Sequence, residues 1–404
     1  MVLLCIALIP VALILSLPLT ALVRRLSLAA GAFDGPGVAG QVKMSARRVP
    51  NTGGIAIFLA FAAPVLIGLA QLAPIGRSPD TEWREEPSLV PADLHEHVAG
   101  IADRAPEALI LLGCLAVLHI LGLIDDRRPL GPWFKLTVML GVSAAAVHFT
   151  NTRLLTMLDA QVGGPWLSIL LTILWLGVVT NAMNFLDNMD GLAAGVASIA
   201  ASFFLAAALI NQQWFIAAML AMLVGSLLGF LWFNFPIGRQ RHAVTGGATI
   251  FMGDGGSLVV GFLLAFLTAR TTFHSPRLGG GWYAVLMPLV VLAIPLYDFI
   301  VVSAIRIAHG KSPFVGDLNH LSHRLVRRGL TRRQAVLVIW GLTAVTAIGG
   351  ISLGQLRDWQ AVLVGVQTVL VLLVLAIVEY AGSRPSASAP TAASAVPAAS
   401  ERRP

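Results

Sequence analysis

The chain has 404 residues, 57% of them hydrophobic and only 12% charged, with a mean hydropathy of +0.82. A water-soluble globular protein carries roughly twice that share of charge, so the composition excludes a soluble fold and places the chain among polytopic membrane proteins. Its formal charge of +7 is not a nucleic-acid signature, because no soluble basic domain and no interleaved aromatic platform accompany it.

A membrane helix needs about 20 apolar residues. Runs of that kind are predicted at 1–22, 53–74, 107–124, 134–150, 166–183, 193–210, 214–233, 249–269, 283–305, 335–353 and 361–381. The expected fold class is an all-α polytopic integral membrane protein with about 11 transmembrane helices. The first run does not read as a signal peptide, because Arg24 and Arg25 follow it and no basic residue precedes it. With the N-terminus outside and the C-terminus in the cytoplasm, most of the 27 Lys and Arg residues fall on the cytoplasmic side. Cys5 and Cys114 lie inside predicted helices and indicate neither a disulfide nor a metal site. Residues 75–106 form a longer outer loop, where Glu82, Glu85, Glu86, Asp93, Glu96 and Asp103 read as a solvated face. The organisation is one transmembrane domain, 1–381, followed by an Ala/Ser/Pro-rich tail, 382–404, expected to be disordered in the cytoplasm.

This topology gathers the polar motifs on one face. The first inner loop holds Arg47, Arg48, Pro50, Gly53 and Gly54. The next holds Asp125, Asp126 and Lys135. Between the fifth and sixth runs Asn181, Asn184, Asp187 and Asp190 recur every third residue, a spacing that places them along one side of a helix or helix end. Asn234 follows, then Phe251-Met-Gly253-Asp254-Gly255-Gly256-Ser257. Asp298 and Arg306 lie toward the end of the ninth run, and Asp317, His320, His323 and Arg324 lie in the last inner loop.

Each motif has two readings. Asp125 and Asp126 can be a helix end paired with neighbouring arginines. Adjacent acids repel, however, which favours a cation or phosphate nearby. The glycine-flanked Asp254 can be a plain turn, or a backbone nest with a hard oxygen ligand. His320 and His323 can be interface residues, yet two histidines between Asp317 and Arg324 suit phosphate contacts. Lys135 and Arg48 can simply enforce topology. Acids at a membrane boundary are expensive and mark a site by default. Carboxylates without Cys ligands suit Mg2+ or Mn2+, completed by water and phosphate oxygens. A cation-coupled transporter would use such acids too, but near mid-bilayer and within inverted repeats, neither of which is visible here.

On these motifs, which span most of residues 45–340, the chain resembles the polyprenyl-phosphate N-acetylhexosamine-1-phosphate transferase family. Its members start O-antigen, enterobacterial common antigen and teichoic-acid linkage synthesis; the peptidoglycan translocase, which makes phospho-MurNAc-pentapeptide lipid, is a relative. Seven motifs in order make the resemblance specific. It implies transfer of a HexNAc-1-phosphate, first of all GlcNAc-1-phosphate, from a UDP-sugar to undecaprenyl phosphate, with release of UMP. It implies a multi-pass protein of the bacterial cytoplasmic membrane with a cytoplasmic site, Mg2+ as cofactor with Mn2+ as the alternative, and homodimers among relatives. Residue by residue it assigns Asp254 to the metal, with Asp187 beside the metal or catalytic. It assigns Asp125 and Asp126 a catalytic part in handling the lipid phosphate, with a general-base role as the alternative, and Asn181 and Asn184 to substrate binding. Asp190, Asn234 and Phe251 are assigned to uridine, and Arg48, Lys135, His320, His323 and Arg324 to the diphosphate. The branch carries a histidine where this chain has Ser322, and the histidine-rich loop expected of the translocase is not apparent.

Overall fold

The computed structural model describes residues 1–33, 49–77, 92–235, 247–271, 282–313 and 318–380. The tail 382–404, Arg48, Asp317 and the acids Glu82, Glu85 and Glu86 lie outside the described residues.

Among the described residues the architecture is a helical bundle, and the one β-type feature is an isolated bridge between Phe33 and Pro50. The helices are α1 (Val2–Ala29), α2 (Gly53–Arg77), α3 (Ala92–Arg127), α4 (Pro132–Thr150), α5 (Trp166–Leu186), α6 (Leu192–Ile210) and α7 (Trp214–Asn234). They continue as α8 (Asp254–Arg270), α9 (Met287–Val291), α10 (Ala293–Ala308), α11 (Leu321–Arg327), α12 (Arg332–Ser352) and α13 (Asp358–Tyr380). Nine described helices are long and apolar enough to cross a membrane, and the bent pair formed by α9 and α10 would make a tenth. Each predicted run falls on one helix or on that pair; α8, at 17 residues, is the short one.

Local chemistry sets the ends. Gly131 at φ +83° turns the chain into α4, and Pro132 starts the helix where its missing N–H costs nothing. Thr331 and Gln334 form a reciprocal capping box at the start of α12. The ninth run was expected as one span, but it bends by 67° at Leu292. Pro295 explains the break, because it has no N–H to donate to the carbonyl four residues earlier and its ring crowds that carbonyl. The outer loop expected over 75–106 is also corrected, since α3 begins at Ala92. Charge in that stretch does not oppose helix formation; it extends a membrane helix beyond its apolar part.

Packing brings specific helix ends together. α8 lies against α3, α2 and α5, and α1 lies against α7. At one end of the bundle the contact between α2, α3 and α8 is made by glycines. A Cβ on Gly54 would overlap the backbone of Gly256, and one on Gly122 would overlap the backbone of Asp254 and Gly255. Just ahead of α2 and α8 the two chain segments pair by backbone: Phe251 N donates to Pro50 O (2.7 Å), Gly53 N to Phe251 O (2.9 Å) and Gly54 N to Met252 O (2.9 Å). At the other end of α8, Arg270 grips Glu107 in the body of α3 through Nε and Nη2 at 2.5 and 2.9 Å, and Arg104 adds a third contact at 2.9 Å. α8 is thus fixed to α3 at both of its ends.

Gly122→Ala should lower the melting temperature of the detergent-purified protein by at least about 5 °C, because backbone cannot yield as a flexible side chain can. Gly113→Ala on the same helix meets nothing within 4 Å and should leave it unchanged within about 1 °C. A thermal melt of both variants checks the pair.

Candidate active site

The three-helix glycine contact sets the end of α3 against the start of α8, and the acids there share one lysine. Lys135, in the first turn of α4, reaches Asp125 Oδ2 at 3.2 Å and Asn184 Oδ1 at 3.4 Å, and donates a short hydrogen bond to Asp254 Oδ2. Asn184 closes the circuit from α5, donating through Nδ2 to Asp254 Oδ1 (2.9 Å) and to Ser257 Oγ (2.8 Å). Asp126 Oδ1 accepts the Asp254 backbone N–H at 3.2 Å. Its other oxygen is buried without a hydrogen-bond partner among the described residues. Gly253, at φ +70°, leaves room for that oxygen, since a Cβ there would crowd Asp126 Oδ2 and the Asn51 carbonyl.

Among the described residues three carboxylates surround one ammonium, which leaves them short of positive charge, and carboxylates removed from water need cations. Among the described residues no three His, Cys, Asp or Glu side chains form a ready-made metal cage. Mg2+ does not require one, because it takes one or two carboxylates and keeps waters or substrate phosphates. The donor set therefore fits a hard divalent cation that arrives with a phosphorylated ligand.

The ladder of three-residue spacing does not lie on one helix face. Asn181 turns back to its own helix, donating to Gly177 O at 2.8 Å. α5 ends at Leu186, and Asp187 occupies its C-cap. The chain then turns through Asn188, Met189, Asp190 and Gly191, the last at φ +76° with a Phe235 ring where a Cβ would be. This turn is pinned rather than loose. Gly191 N donates to Asn234 Oδ1 (2.8 Å), Asn234 Nδ2 donates to Ile250 O (2.9 Å), and Ala248 N donates to Asp190 Oδ2 (2.8 Å). Asp190 and Asn234 thus tie the Asp187 turn to the segment carrying Phe251.

A second cluster borders the first. Asp298 Oδ2 meets His320 Nδ1 at 2.9 Å, and Asp298 Oδ1 accepts the Leu321 N–H at 2.5 Å. Arg306 Nη2 lies 3.3 Å from His320 Nε2. A guanidinium can only donate, so in the neutral ring Nε2 is the acceptor and the proton sits on Nδ1, facing Asp298. Phe185, which follows Asn184 on α5, packs on this second cluster: its ring lies edge-on to His320 at 5.8 Å and under the Arg306 guanidinium at 5.0 Å. Ser322 stands where the resemblance expects a histidine, and it donates a short hydrogen bond to Asn188 Oδ1 in the Asp187 turn. Arg324 pairs with Glu379 through Nε at 3.1 Å and lies 3.8 Å from Asp298.

His323, on α11, sits edge-on to His320 with ring centres 6.5 Å apart. Burial first, then the neighbouring His320 and Arg327, push its imidazole down to about 4.

Several residues at the site escaped the motif reading. His119 in α3 meets the Gly255 carbonyl at 2.8 Å and stacks on Phe58. Tyr297 donates to Glu379 Oε2 at 3.0 Å. The available signal was a lone polar group inside an apolar run, which is costly unless partnered.

Residues 108–272 match the profile of glycosyl transferase family 4. Over 376 residues the chain is 28% identical to the probable undecaprenyl-phosphate N-acetylglucosaminyl 1-phosphate transferase of Bacillus subtilis, covering 92% of this chain and 90% of that one. It is 30% identical over 342 residues to the decaprenyl-phosphate N-acetylglucosaminephosphotransferase of Mycobacterium tuberculosis, covering 78% and 75%. It is 28% identical over 291 residues to the undecaprenyl-phosphate alpha-N-acetylglucosaminyl 1-phosphate transferase of Escherichia coli K12, covering 70% and 74%.

In the unfolded chain the His323 ring takes a proton near pH 6.5, in the folded chain only near 4. Acid therefore favours the unfolded state across that window. Melting temperature should fall as pH drops from about 6.5 to 4, and His323→Gln should flatten part of that slope; thermal melts at half-unit pH steps measure both.

Proposed function

The chain belongs to glycosyl transferase family 4, with polyprenyl-phosphate N-acetylglucosamine-1-phosphate transferases among its relatives, and on that premise we propose that it transfers GlcNAc-1-phosphate from UDP-GlcNAc to undecaprenyl phosphate, releasing UMP. The observation that carries the reading is the Lys135 bridge between Asp125 and Asp254, with the uncompensated Asp126 oxygen beside it. The site belongs to the cytoplasmic face of a bacterial cytoplasmic membrane, a placement supported by the positive-inside bias of the loops.

An oxygen of the acceptor phosphate attacks the phosphorus that carries the sugar. A new phosphoanhydride bond forms, the old one breaks, and UMP leaves with the electron pair of the bridging oxygen. A phosphate monoester loses its second proton with a pKa of about 6, so the attacking group is largely ionised at neutral pH and needs little help from a base. Positioning and charge neutralisation then carry the rate. Lys135 takes diphosphate oxygens when the ligand displaces its acid partners. Asn184 holds the Asp254 carboxylate in orientation. Asp125 and Asp126 face the acceptor phosphate, whose charge they accept only in company with a cation. Mg2+, with Mn2+ as the alternative, would be held by Asp254 with Asp187 and the substrate phosphates, and would neutralise the leaving group. Phe251 is assigned the uracil face, on the segment that Asp190 and Asn234 pin. His323 supplies a neutral imidazole to the diphosphate, while His320 and Arg324 support it through Asp298.

A cation-coupled transporter is the weaker reading, because the acids gather at one end of the bundle. The peptidoglycan translocase reading is not favoured by the relatives, whose names specify N-acetylglucosamine.

Purified protein with UDP-GlcNAc and undecaprenyl phosphate should release UMP, and should stop on chelation of divalent metal until Mg2+ or Mn2+ is restored. Asp254→Asn and Lys135→Met should each lose at least about 100-fold in kcat. Failure of folded protein to release UMP from UDP-GlcNAc, UDP-GalNAc or UDP-MurNAc-pentapeptide would overturn the transferase reading.

A further inference from the structure

The last helix of the bundle carries a buried acid that the reaction does not use. α13 is among the least embedded helices: only 11% of its most apolar window is buried inside the protein. Near its end, however, the Glu379 side chain is 0% exposed. A carboxylate sealed at the edge of a lipid-facing helix is costly unless its oxygens are satisfied. Here they are. Arg324 Nη2 donates to Oε1 at 3.2 Å, Arg324 Nε lies in ion-pair contact 3.1 Å from Oε2, and the Tyr297 hydroxyl donates to Oε2 at 3.0 Å. The Glu379 backbone carbonyl accepts Arg328 Nε at 2.9 Å. Both arginines belong to α11 or its C-cap, and Tyr297 belongs to α10.

The network continues inward. Arg324 lies between Glu379 and Asp298. Asp298 fixes the His320 ring and the first N–H of α11. Ser322 on the same short helix is hydrogen-bonded to Asn188, one residue beyond Asp187. A helix of seven residues cannot hold itself by its own ladder. Its position is set from outside, by Asp298 on one flank and Glu379 on the other.

We infer that Glu379 is a positioning residue of the transferase: through Arg324 it holds α11, and with it His323, in place beside the Asp187 turn. This rests on the reading that α11 contacts the sugar-nucleotide diphosphate. The Arg324 charge is then a structural tie rather than a phosphate ligand, and α13 serves the site without touching substrate.

The test compares wild type, Glu379→Gln, Arg324→Gln and the double variant in detergent with lipid. Hydrogen–deuterium exchange over residues 321–327 should rise several-fold in Glu379→Gln, while α3 and α8 keep their protection. In the turnover assay KM for UDP-GlcNAc should rise about 10-fold, KM for undecaprenyl phosphate should stay within about twofold, and kcat should fall less than the donor KM rises. The double variant should be no worse than Arg324→Gln alone, because both changes cut the same tie. Unchanged exchange over α11, an unchanged donor KM, or additive losses would each overturn the inference. If Glu379→Gln does not fold, Tyr297→Phe removes one of the same hydrogen bonds and should move exchange and donor KM in the same direction by a smaller factor. If wild type itself fails to turn over, the transferase reading falls, and the exchange comparison still decides whether Glu379 holds α11.

Discussion

The site end of this bundle depends on one imbalance of charge. Asp125, Asp126 and Asp254 arrive on two helices whose glycines let the backbones touch, and among the described residues Lys135 is the single cation hydrogen-bonded there. Carboxylates this close repel in a medium poorer than water at screening charge. The fold contains the repulsion by fixing α8 to α3 at both of its ends, through Asp126 and the Asp254 backbone at one and Glu107 with Arg270 at the other. Strain of this kind is tolerated where a ligand relieves it. On the proposed reaction, a diphosphate accompanied by a divalent cation would bring the missing positive charge, and oxygens to which Lys135 could donate instead.

Around that centre the protein divides labour between groups that face the ligand and groups that hold them. Asp190 and Asn234 use their oxygens on backbone N–H groups, so that the turn after α5 becomes a rigid shelf. His320 is committed on both ring nitrogens, to Asp298 and to Arg306. Such commitments cost side-chain freedom before substrate arrives, and preorganisation of that sort is what phosphoryl transfer requires when there is little covalent chemistry to perform.

The apolar runs revealed the helices because lipid admits few alternatives to a fully hydrogen-bonded span. They did not reveal helix ends. α1 continues past Arg24 and Arg25, and α3 begins well before its apolar part, since a helix can leave the membrane without unwinding. The Pro295 break was written in the sequence but masked by uniform hydrophobicity. At the site, Asp125, Lys135, Asn184 and Asp254 were readable as members of one face, and they meet. The three-residue ladder misled for Asn181, because spacing fixes direction only while the helix lasts and says nothing of bonds to its own carbonyls. The partnerships of Glu107 with Arg270 and of Arg324 with Glu379 join residues far apart in the chain. No local pattern encodes such pairs; only the cost of an isolated acid in an apolar run hints that a partner exists.

The packing of α1 on α7 bears on how the molecule is assembled. Gly225 and Gly229 leave no room for a Cβ beside Ile9, Ala12 and Ser16 of α1, and Ser16 donates to the Ser226 carbonyl at 2.7 Å, across 210 residues of chain. Close glycine contact and a buried interhelical hydrogen bond are what associate helices in lipid, where no hydrophobic force draws them together. At roughly 5–20 residues per second, ribosomal synthesis separates these two helices by about 10–40 s. α1 therefore has α2, against which it also packs, within its reach early, but the α7 half of its seat is completed only after five further helices have been made.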